Sequence, residues 1–308
     1  MSPMHAVTPG VLVHGGAGRI AAERHDEVQA GVRAAAAAGA AVLAAGGAAL
    51  DAVQAAVRVL EDDPAFNAGT GAVLNRDGLV EVDASIMDGA TGRVGAVAAV
   101  PDLAEAIAVA RAVLDDGAHV LLAGPAVWDF AAARGFVRAA PGALVTPRMR
   151  ARWQDERQRL EALERDGGTV GAVAIDARGQ LAAATSTGGT LGKLPGRIGD
   201  SPLPGCGTWA SRVGAASATG DGEAIIRVTL TRALVDRIAR GAAIAAAADE
   251  AIAELVAHGG SGGVIAVDAH GRFAAVHATE TMPVALAQLD GDAIRVAAAV
   301  RAADLALA

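Results

Sequence analysis

The sequence has no tyrosine, a single cysteine and a single lysine. Because Cys206 cannot form an intramolecular disulfide, we expect a reducing compartment, most simply the cytoplasm. Aromatic residues make up 2% of the chain although 53% of it is hydrophobic, so small aliphatic side chains must fill the core. All other basic residues are arginines, which hints that the position of Lys193 does not accept arginine.

Basic surfaces and long apolar segments are also missing. The formal net charge is −8 with no basic stripe, which argues against a nucleic-acid partner. The alanine-rich stretch at 34–50 is interrupted by glycines and is too short to span a membrane. The first ten residues lack the charged and apolar regions of a secretory signal. The sequence therefore favours a cytoplasmic protein that binds neither membranes nor nucleic acid.

Several common catalytic motifs are absent. The glycines at 14–18 do not match the dinucleotide-binding pattern, and the Gly-Lys pair at 192–193 lacks the rest of a P-loop. The seven histidines have no zinc-ligand spacing, and no G-x-S-x-G elbow occurs. These absences exclude the commonest nucleotide, zinc and serine-hydrolase sites and leave a chain unusually rich in Thr-Gly segments.

Hydrophobic periodicity predicts runs of strands followed by paired helices, twice along the chain. The predicted strands are 11–13, a hairpin within 67–88, 94–100, 169–175 with 180–186, and 264–267 with 272–279. The predicted helices are 23–43, 50–60, one from Pro101 to 115, 222–240 and 242–257. Residues 136–168 resemble a linker that carries a charged, solvated helix at 148–166. This order is typical of an α+β fold.

Thr169 follows two glycines and begins a predicted buried strand. A threonine hydroxyl is a weak nucleophile unless a base lies beside it, and an N-terminal threonine carries that base in its own α-amine. The reference pKa of this amine, about 7.7–8.0, leaves a useful neutral fraction at neutral pH. The amine exists here only if the Gly168–Thr169 bond is cleaved, and Gly168 tolerates a strained backbone. The simpler interpretation is a β-branched residue that begins a strand.

Residues after Thr169 could complete a site around it. Thr187 ends the strand predicted to pair with 169–175, so we expect it beside Thr169. Arg197 and Asp200 lie three residues apart in a proline-containing loop and could bind the carboxylate and the ammonium of an amino acid. A local salt bridge between them is the alternative.

A further Thr-Gly pair, Thr219 and Gly220, precedes the predicted helix at 222–240. A hydroxyl and a backbone N–H at such a position are suited to stabilising an oxyanion. An ordinary helix cap with a glycine-rich turn would give the same pattern.

Together these segments resemble the plant-type asparaginase/isoaspartyl peptidase family. The matching motifs, in chain order, are HGGAG at 14–18, FNAGTG at 66–71, DASIMDG at 83–89, GTVGAV at 168–173, TSTGG at 185–189, PGRIGDSP at 195–202 and TGDGE at 219–223. The resemblance extends from about residue 11 to 281 and is weakest over the linker.

The resemblance implies a four-layer αββα sandwich of the N-terminal nucleophile hydrolase type. It implies autoproteolysis into an α subunit, 1–168, and a β subunit, 169–308, which together form one structural domain. It also implies a homodimer of cleaved αβ units. The expected activity is hydrolysis of L-asparagine and β-aspartyl dipeptides through a β-aspartyl-enzyme ester. A glycosylasparaginase-like hydrolase and an uncleaved, non-catalytic binding protein are the alternatives.

The family pattern assigns a role to each matching residue. The roles are Thr169 as nucleophile, Thr187 as its hydrogen-bonding partner, Thr219 and Gly220 as the oxyanion site, Arg197, Asp200 and Gly220 as substrate-binding residues, and Asn67 as a residue near the nucleophile. No catalytic cofactor is expected. In some relatives a loop holds structural sodium through backbone carbonyls, and the matching positions are Leu60, Glu61, Asp63, Phe66, Ala68 and Thr70. The alternative for this loop is a helix end rich in acids.

Three residues depart from the family pattern near the expected substrate clamp. Gly192 replaces an asparagine that is common before the lysine, and Cys206 and Trp209 lie where Gly-Ala-Gly-Thr-Tyr-Ala is more usual. These differences concern substrate preference rather than the catalytic class. Cys206 is a poor alternative nucleophile because no histidine accompanies it in the sequence.

Overall fold

The computed structural model describes residues 7–158, 168–291 and 293–307. The helices in these ranges are α1 His25–Ala44, α2 Ala49–Asp62, α3 Ala106–Asp116, α4 Val127–Ala132, α5 Pro147–Gln158, α6 Gly222–Val228, α7 Leu230–Ala239 and α8 Ile244–Ala257. The strands are β1 Gly10–His14, β2 Glu81–Asp88, β3 Val94–Pro101, β4 Leu121–Ala123, β5 Val170–Ile175, β6 Leu181–Thr187, β7 Thr208–Ala210, β8 Gly214–Gly220, β9 Gly262–Asp268, β10 Phe273–His277, β11 Val284–Asp290 and β12 Ala293–Ala299. Short 3-10 helices occupy Ala22–Arg24 and Ala302–Asp304.

The strands form two sheets, and the expected α+β class is confirmed. The larger sheet has the order β12-β11-β1-β5-β6-β2-β3-β4, and the smaller has the order β10-β9-β8-β7. Neighbouring strands are antiparallel except β3 and β4, which are parallel. In the larger sheet β5 lies between β1 and β6, so the segment that follows Thr169 is central and buried.

Three apolar clusters stabilise these elements, and the alternation of side chains along the strands separates them. Val11 and Val13 of β1 belong to the cluster with α1, α2 and α3, whereas Leu12 faces the smaller sheet. The third cluster lies between the smaller sheet and α7 and α8. Alanine fills much of each cluster, as the composition predicts. None of the described helices is both long and apolar enough to cross a bilayer.

The helix expected from Pro101 begins later, at Ala106, and Pro101 is instead the last residue of β3. The reason is a tertiary contact. The side chain of Glu61, on α2, accepts a hydrogen bond from the backbone N–H of Ile107 at 2.9 Å, and so satisfies an amide of the first turn of α3.

The single helix expected at 222–240 is two helices, α6 and α7, separated by Thr229 with a φ of 46°. The start of α7 is held by backbone contacts with a distant loop, since Thr231 and Arg232 donate to the carbonyls of Cys206 and Gly205. Tertiary hydrogen bonds thus break a segment whose local propensity favours one continuous helix.

The hairpin expected within 67–88 is reduced to one isolated bridge between Leu74 and Val80, and β2 pairs with β3 and β6 instead. The charged helix expected at 148–166 is seen as α5, and residues 159–167 lie outside the described part. Helix α5 is anchored: Met149 is buried, and the indole of Trp153 donates to the carbonyl of Asn75 at 2.8 Å.

Candidate active site

Thr169 immediately precedes β5, and its side chain lies beside that of Thr187 at the end of β6. The register pairs Val170 with Ser186, which places the two threonines opposite one another, as the predicted hairpin requires. The Thr169 hydroxyl donates to Thr187 Oγ1 at 3.2 Å, and the backbone N–H of Gly189 donates to the same oxygen at 2.9 Å. The hydroxyl that is a candidate nucleophile is therefore held by a fixed acceptor.

The carbonyl of Gly168, just before Thr169, accepts two hydrogen bonds. Asn67 Nδ2 donates to it at 2.5 Å and the Thr187 hydroxyl donates at 3.1 Å. Asn67 is oriented by its other contacts, because Nδ2 also donates to the Gly189 carbonyl and Oδ1 accepts the Val73 amide. Two donors on one carbonyl oxygen would stabilise negative charge developing there.

Thr219 and Gly220 end β8 in the smaller sheet, where it faces β5. The backbone N–H of Ala17 donates to Thr219 Oγ1 at 3.1 Å, so the hydroxyl hydrogen of Thr219 can be directed to another acceptor. Gly220 has a φ of 140°, and a Cβ there would lie 2.3 Å from the Ser261 carbonyl. Only glycine fits this turn.

Arg197 and Asp200 occupy the loop between β6 and β7, and both flank the same pocket. Arg197 donates through Nε and Nη2 to the carboxylate of Glu223 at 3.0 and 2.7 Å, so its ion pair is with Glu223. Burial raises the pKa of Asp200 to about 7, and Arg197 opposes that rise. Within the described part of the chain, Asp200 Oδ2 is buried with no hydrogen-bond partner. A cationic ligand group would satisfy it.

One pocket brings most of the expected residues together. Its lining includes Thr169, Thr187, Arg197, Asp200 and Gly220, together with Gly189, Thr190, Gly199 and Ser201. Thr219 and Asn67 are not part of this lining, but Thr219 directly precedes the lining residue Gly220, and Asn67 donates to the carbonyl of the lining residue Gly189 at 2.7 Å. The arrangement combines a threonine hydroxyl that is a candidate nucleophile, an arginine side chain and a buried carboxylate around a single small space.

A buried network of hydroxyl groups beneath Thr169 was not foreseen from the sequence. His14 Nε2 lies 3.0 Å from Ser217 Oγ, Ser217 lies 2.7 Å from Thr185 Oγ1, and Thr208 donates to Thr185. Burial lowers the pKa of His14 to about 3, against the opposing effect of the Thr169 backbone, so the imidazole is neutral. The period of two in β6 and β8 could have revealed these residues, since Thr185 shares a face with Thr187.

The Ser217 hydroxyl and the His14 imidazole of this network lie against the backbone of β5 at Gly171. A Cβ at that position would lie 2.0 Å from Ser217 Oγ and 2.5 Å from His14 Nε2. The glycine two residues after Thr169 is therefore required by the polar layer between the sheets.

Lys193, the lone lysine, does not line the pocket but packs against Gly189, which does. Its Nζ donates to the Glu81 carbonyl at 2.9 Å, and burial lowers its pKa while the nearby Asp83 carboxylate raises it. A Cβ at Gly189 would lie 2.9 Å from Lys193 Cδ, so the lysine chain packs against the loop that holds Thr187 and Asn67. A planar guanidinium at this position would need a different fit.

The side chain of Cys206 is buried, and it belongs to the same loop as Asp200. Burial, followed by the nearby Asp200 charge, raises the pKa of its thiol to about 11, so the thiol is neutral near pH 7. A neutral, buried thiol is a poor nucleophile, which agrees with the sequence argument against Cys206.

Backbone carbonyls of the loop at 60–70 pack closely on Gly69 and Gly71. A Cβ at Gly69 would lie 2.5 Å from the Glu61 carbonyl, and one at Gly71 would lie 2.7 and 2.8 Å from the carbonyls of Pro64 and Phe66. Two of these carbonyls accept hydrogen bonds from within the protein: Glu61 from the Thr70 amide at 2.8 Å and Pro64 from Arg148 at 2.7 Å. Among the described residues, no group of three or more His, Cys, Asp or Glu side chains could hold a metal ion.

Known proteins match this chain over nearly its whole length. The family model described as Asparaginase matches residues 7–295, from before β1 into β12. The Bos taurus and Homo sapiens proteins named isoaspartyl peptidase/L-asparaginase are each 43% identical over 289 residues, which cover 92% of this chain and 94% of the relative. The Escherichia coli (strain K12) protein named isoaspartyl peptidase is 42% identical over 292 residues, with 88% and 90% covered.

Proposed function

The chain belongs to the asparaginase family, and on that premise we propose that it hydrolyses L-asparagine and β-aspartyl dipeptides with Thr169 as the nucleophile. The observation that carries the proposal is the position of the Thr169 hydroxyl. It is hydrogen-bonded to Thr187 in the pocket that Arg197 and Asp200 also line. The names of the relatives support the same substrates.

The first step is autoproteolysis. Thr169 Oγ1 attacks the Gly168 carbonyl carbon and gives up its proton, the C–N bond of the tetrahedral adduct then breaks as the nitrogen takes a proton and becomes the new α-amine, and water hydrolyses the resulting ester to the Gly168 carboxylate and the Thr169 hydroxyl. Asn67 and Thr187, which donate to the Gly168 carbonyl, stabilise the oxyanion of this step. The products are an α chain of residues 1–168 and a β chain of residues 169–308, whose new α-amine serves as the base.

The same hydroxyl then acts on the substrate. The Thr169 amine takes the Oγ1 proton, Oγ1 attacks the β-carbonyl, and the oxyanion is stabilised by Thr219 and the backbone of Gly220. Ammonia or an amino acid leaves with the proton, and water hydrolyses the β-aspartyl ester. The hydrogen bond from Ala17 orients Thr219 so that its hydroxyl hydrogen is free to be donated to this oxyanion.

Substrate selection follows from charge. The substrate ammonium would pair with Asp200, whose buried Oδ2 has no hydrogen-bond partner in the described part of the chain. The α-carboxylate would bind Arg197, which lines the pocket, through N–H groups other than those that Nε and Nη2 donate to Glu223. A β-aspartyl linkage leaves both groups free, whereas an α-aspartyl peptide uses the α-carboxylate in its bond.

We test the proposal with β-Asp-Leu, α-Asp-Leu, asparagine and glutamine on purified protein, with Arg197→Met as the matched variant. Charge-assisted hydrogen bonds contribute about 1.5–3 kcal/mol each, so α-Asp-Leu should be hydrolysed at least about tenfold less efficiently than β-Asp-Leu. Glutamine is one methylene longer and should be a poor substrate. The Arg197→Met variant should lose the preference for the β linkage. Equal turnover of the two dipeptides by the unmodified protein would contradict the clamp.

We also propose a layer arrangement, an assembly and an ion site to accompany this function. The three apolar clusters support a four-layer αββα sandwich, with α1 and α2 on the larger sheet and α7 and α8 on the smaller one. The family resemblance supports a homodimer of cleaved αβ units. The family resemblance alone supports a structural sodium ion in the loop at 60–70, which would stabilise the segment that carries Asn67.

A glycosylasparaginase-like hydrolase differs from this proposal in its leaving group, and the small pocket around Thr169 favours an unmodified aspartyl unit. A non-catalytic binding protein would keep the clamp without cleaving its own chain. The substrate assay separates these alternatives, because binding without turnover would support a non-catalytic binding protein.

A further inference from the structure

A second pocket adjoins the Gly168–Thr169 bond. It encloses about 540 Å³ of empty space that is open to solvent. Asn67, Gly168 and the backbone at 15–18 line the end nearest the nucleophile. Gly16 brings the pocket wall close to the site, since a Cβ there would lie 3.0 Å from Gly168 Cα and 3.2 Å from the Thr169 nitrogen.

Among the residues that the structure describes, the charged side chains lining this pocket are arginines: Arg19, Arg24, Arg148 and Arg152. Arg24 and Arg148 both donate to the carbonyl of Ala65, at 2.8 and 3.0 Å, which fixes two guanidinium groups close together. Burial, then Arg24 and Arg152, lower the pKa of Arg148 to about 10, and Glu27 and Asp63 only partly oppose this. Arg19 and Arg24 pair with Glu280 and Glu27, whereas the side-chain contacts of Arg148 within the described residues are with the carbonyls of Pro64 and Ala65, so Arg148 is the guanidinium best placed to attract an anion.

The position of the pocket indicates which anion. In the proposed function, the α-ammonium and α-carboxylate of the aspartyl unit lie on Asp200 and Arg197, and the β-carbonyl lies on Thr169. The scissile amide nitrogen must then point away from Asp200 and Arg197. The second pocket opens at Gly168, on the other side of the nucleophile, so it is where the residue bonded to that nitrogen can extend.

We propose that this arginine pocket binds the leaving residue of a β-aspartyl dipeptide, with Arg148 attracting its free α-carboxylate. The inference rests on the proposed function and specifies it, because asparagine has ammonia as its leaving group and cannot use the pocket. The arginines thus select dipeptides with a free carboxyl end without affecting the hydrolysis of asparagine.

The test compares kcat/KM for β-Asp-Leu, β-Asp-Leu amide and asparagine in the matured protein and in Arg148→Met. The unmodified protein should prefer the free dipeptide over its amide by about tenfold, which corresponds to about 1.4 kcal/mol. Arg148→Met should lose most of that preference and change asparagine hydrolysis less than about twofold. Raising the salt concentration should reduce the preference as well, because the pocket is open to solvent.

Three further variants give the comparison its controls. Arg148→Lys keeps the charge and should keep most of the preference, while Arg295→Met removes an exposed arginine of β12, 79% exposed, and should change nothing. Arg152→Met repeats the test if Arg148→Met fails to fold, since Arg148 also donates to the Pro64 carbonyl.

The inference is overturned if the unmodified protein hydrolyses the free dipeptide and its amide equally. It is also overturned if Arg148→Met slows asparagine and β-Asp-Leu by the same factor, or changes only the maturation of the chain. The last result would mean that the pocket receives the Gly168 carboxylate. Those results leave the proposed function intact, whereas failure of the unmodified protein to hydrolyse either substrate would contradict both.

Discussion

Thr169, Thr187 and Thr219 belong to three different strand ends, and each hydroxyl has a separate partner. Thr169 donates to Thr187, Thr187 donates to the Gly168 carbonyl, and Thr219 accepts from the Ala17 amide. A hydroxyl donates one hydrogen and accepts two bonds, so these contacts direct the hydrogens of Thr169 and Thr187 and leave the hydrogen of Thr219 available to another acceptor. That direction distinguishes a threonine that stabilises an oxyanion from one that only fills space.

Thr219→Ala tests whether the Thr219 hydroxyl donates its hydrogen to the oxyanion. Removing one oxyanion donor typically lowers kcat by about 10²–10³ and leaves substrate binding nearly unchanged. We expect that loss in kcat for both asparagine and β-Asp-Leu, measured by steady-state kinetics on cleaved protein.

Thr219→Ser is the matched control, because it retains the hydroxyl that Ala17 orients and should keep most of the activity. Melting temperatures of both variants would show whether the unpaired Ala17 amide destabilises the fold. A defect of Thr219→Ala confined to KM would show that Thr219 binds the ground state and is not an oxyanion donor.

Glu61 joins three elements through one carboxylate. It lies on α2, its Oε1 accepts the Ser186 hydroxyl of β6 at 2.6 Å, and the same oxygen accepts the Ile107 amide of α3. Ser186 points away from Thr169 because successive strand side chains alternate, so the contact lies on the helix side of the sheet. Burial raises the pKa of Glu61 to about 7, against the opposing hydrogen bonds and Arg58.

This buried carboxyl should make stability depend on pH. Because its pKa is raised on folding, the folded state is favoured when Glu61 is protonated, fully below its ordinary value of 4.5. That contribution is lost as the pH rises through about 7, by at most about 1.4 kcal/mol per pH unit. The melting temperature of Glu61→Gln relative to the unmodified protein should therefore increase between pH 5 and pH 8.

Glu280→Gln is the control for that series, since Glu280 is 64% exposed and lies on the surface beside Arg19. Its melting temperature should follow that of the unmodified protein at every pH. A difference between Glu61→Gln and the unmodified protein that stays constant from pH 5 to pH 8 would show that Glu61 does not titrate in this range.

The elements that sequence periodicity predicted well are those with local causes. The strands on either side of the turn at 176–179 were found because apolar residues and turn residues alternate within one hairpin. Thr146 and Pro147 begin α5 through a side-chain hydrogen bond to Met149 and a fixed backbone angle. The starts of α3 and α7 were missed because Glu61, Cys206 and Gly205 determine them from distant parts of the chain.

Across the whole molecule, the site depends on two sheets meeting. Motif order alone indicated Thr169, Thr187, Arg197 and Asp200, because those residues follow one another along a single loop and hairpin. The network of His14, Ser217, Thr185 and Thr208 links β1 and β6 of one sheet to β7 and β8 of the other. No local pattern predicts which strands of two sheets will face each other, so this layer required the structure.

The partners of Arg197 and of the arginines in the second pocket also come from distant parts of the chain, so local sequence patterns could not predict them. The sequence paired Arg197 with a substrate or with Asp200, and the structure places its ion pair on Glu223, at the first turn of α6. Arg24 and Arg148 are far apart in the chain and share the Ala65 carbonyl only after α5 has packed against the loop at 60–70.

The central claim is that one threonine hydroxyl serves both self-cleavage and catalysis. It is tested most directly by intact mass and N-terminal sequencing of purified protein, beside Thr169→Ala and Thr169→Ser. The unmodified protein should contain a chain that begins at Thr169, Thr169→Ser should form the same chain, and Thr169→Ala should stay a single inactive chain. Active protein without a chain that begins at Thr169 would contradict the claim.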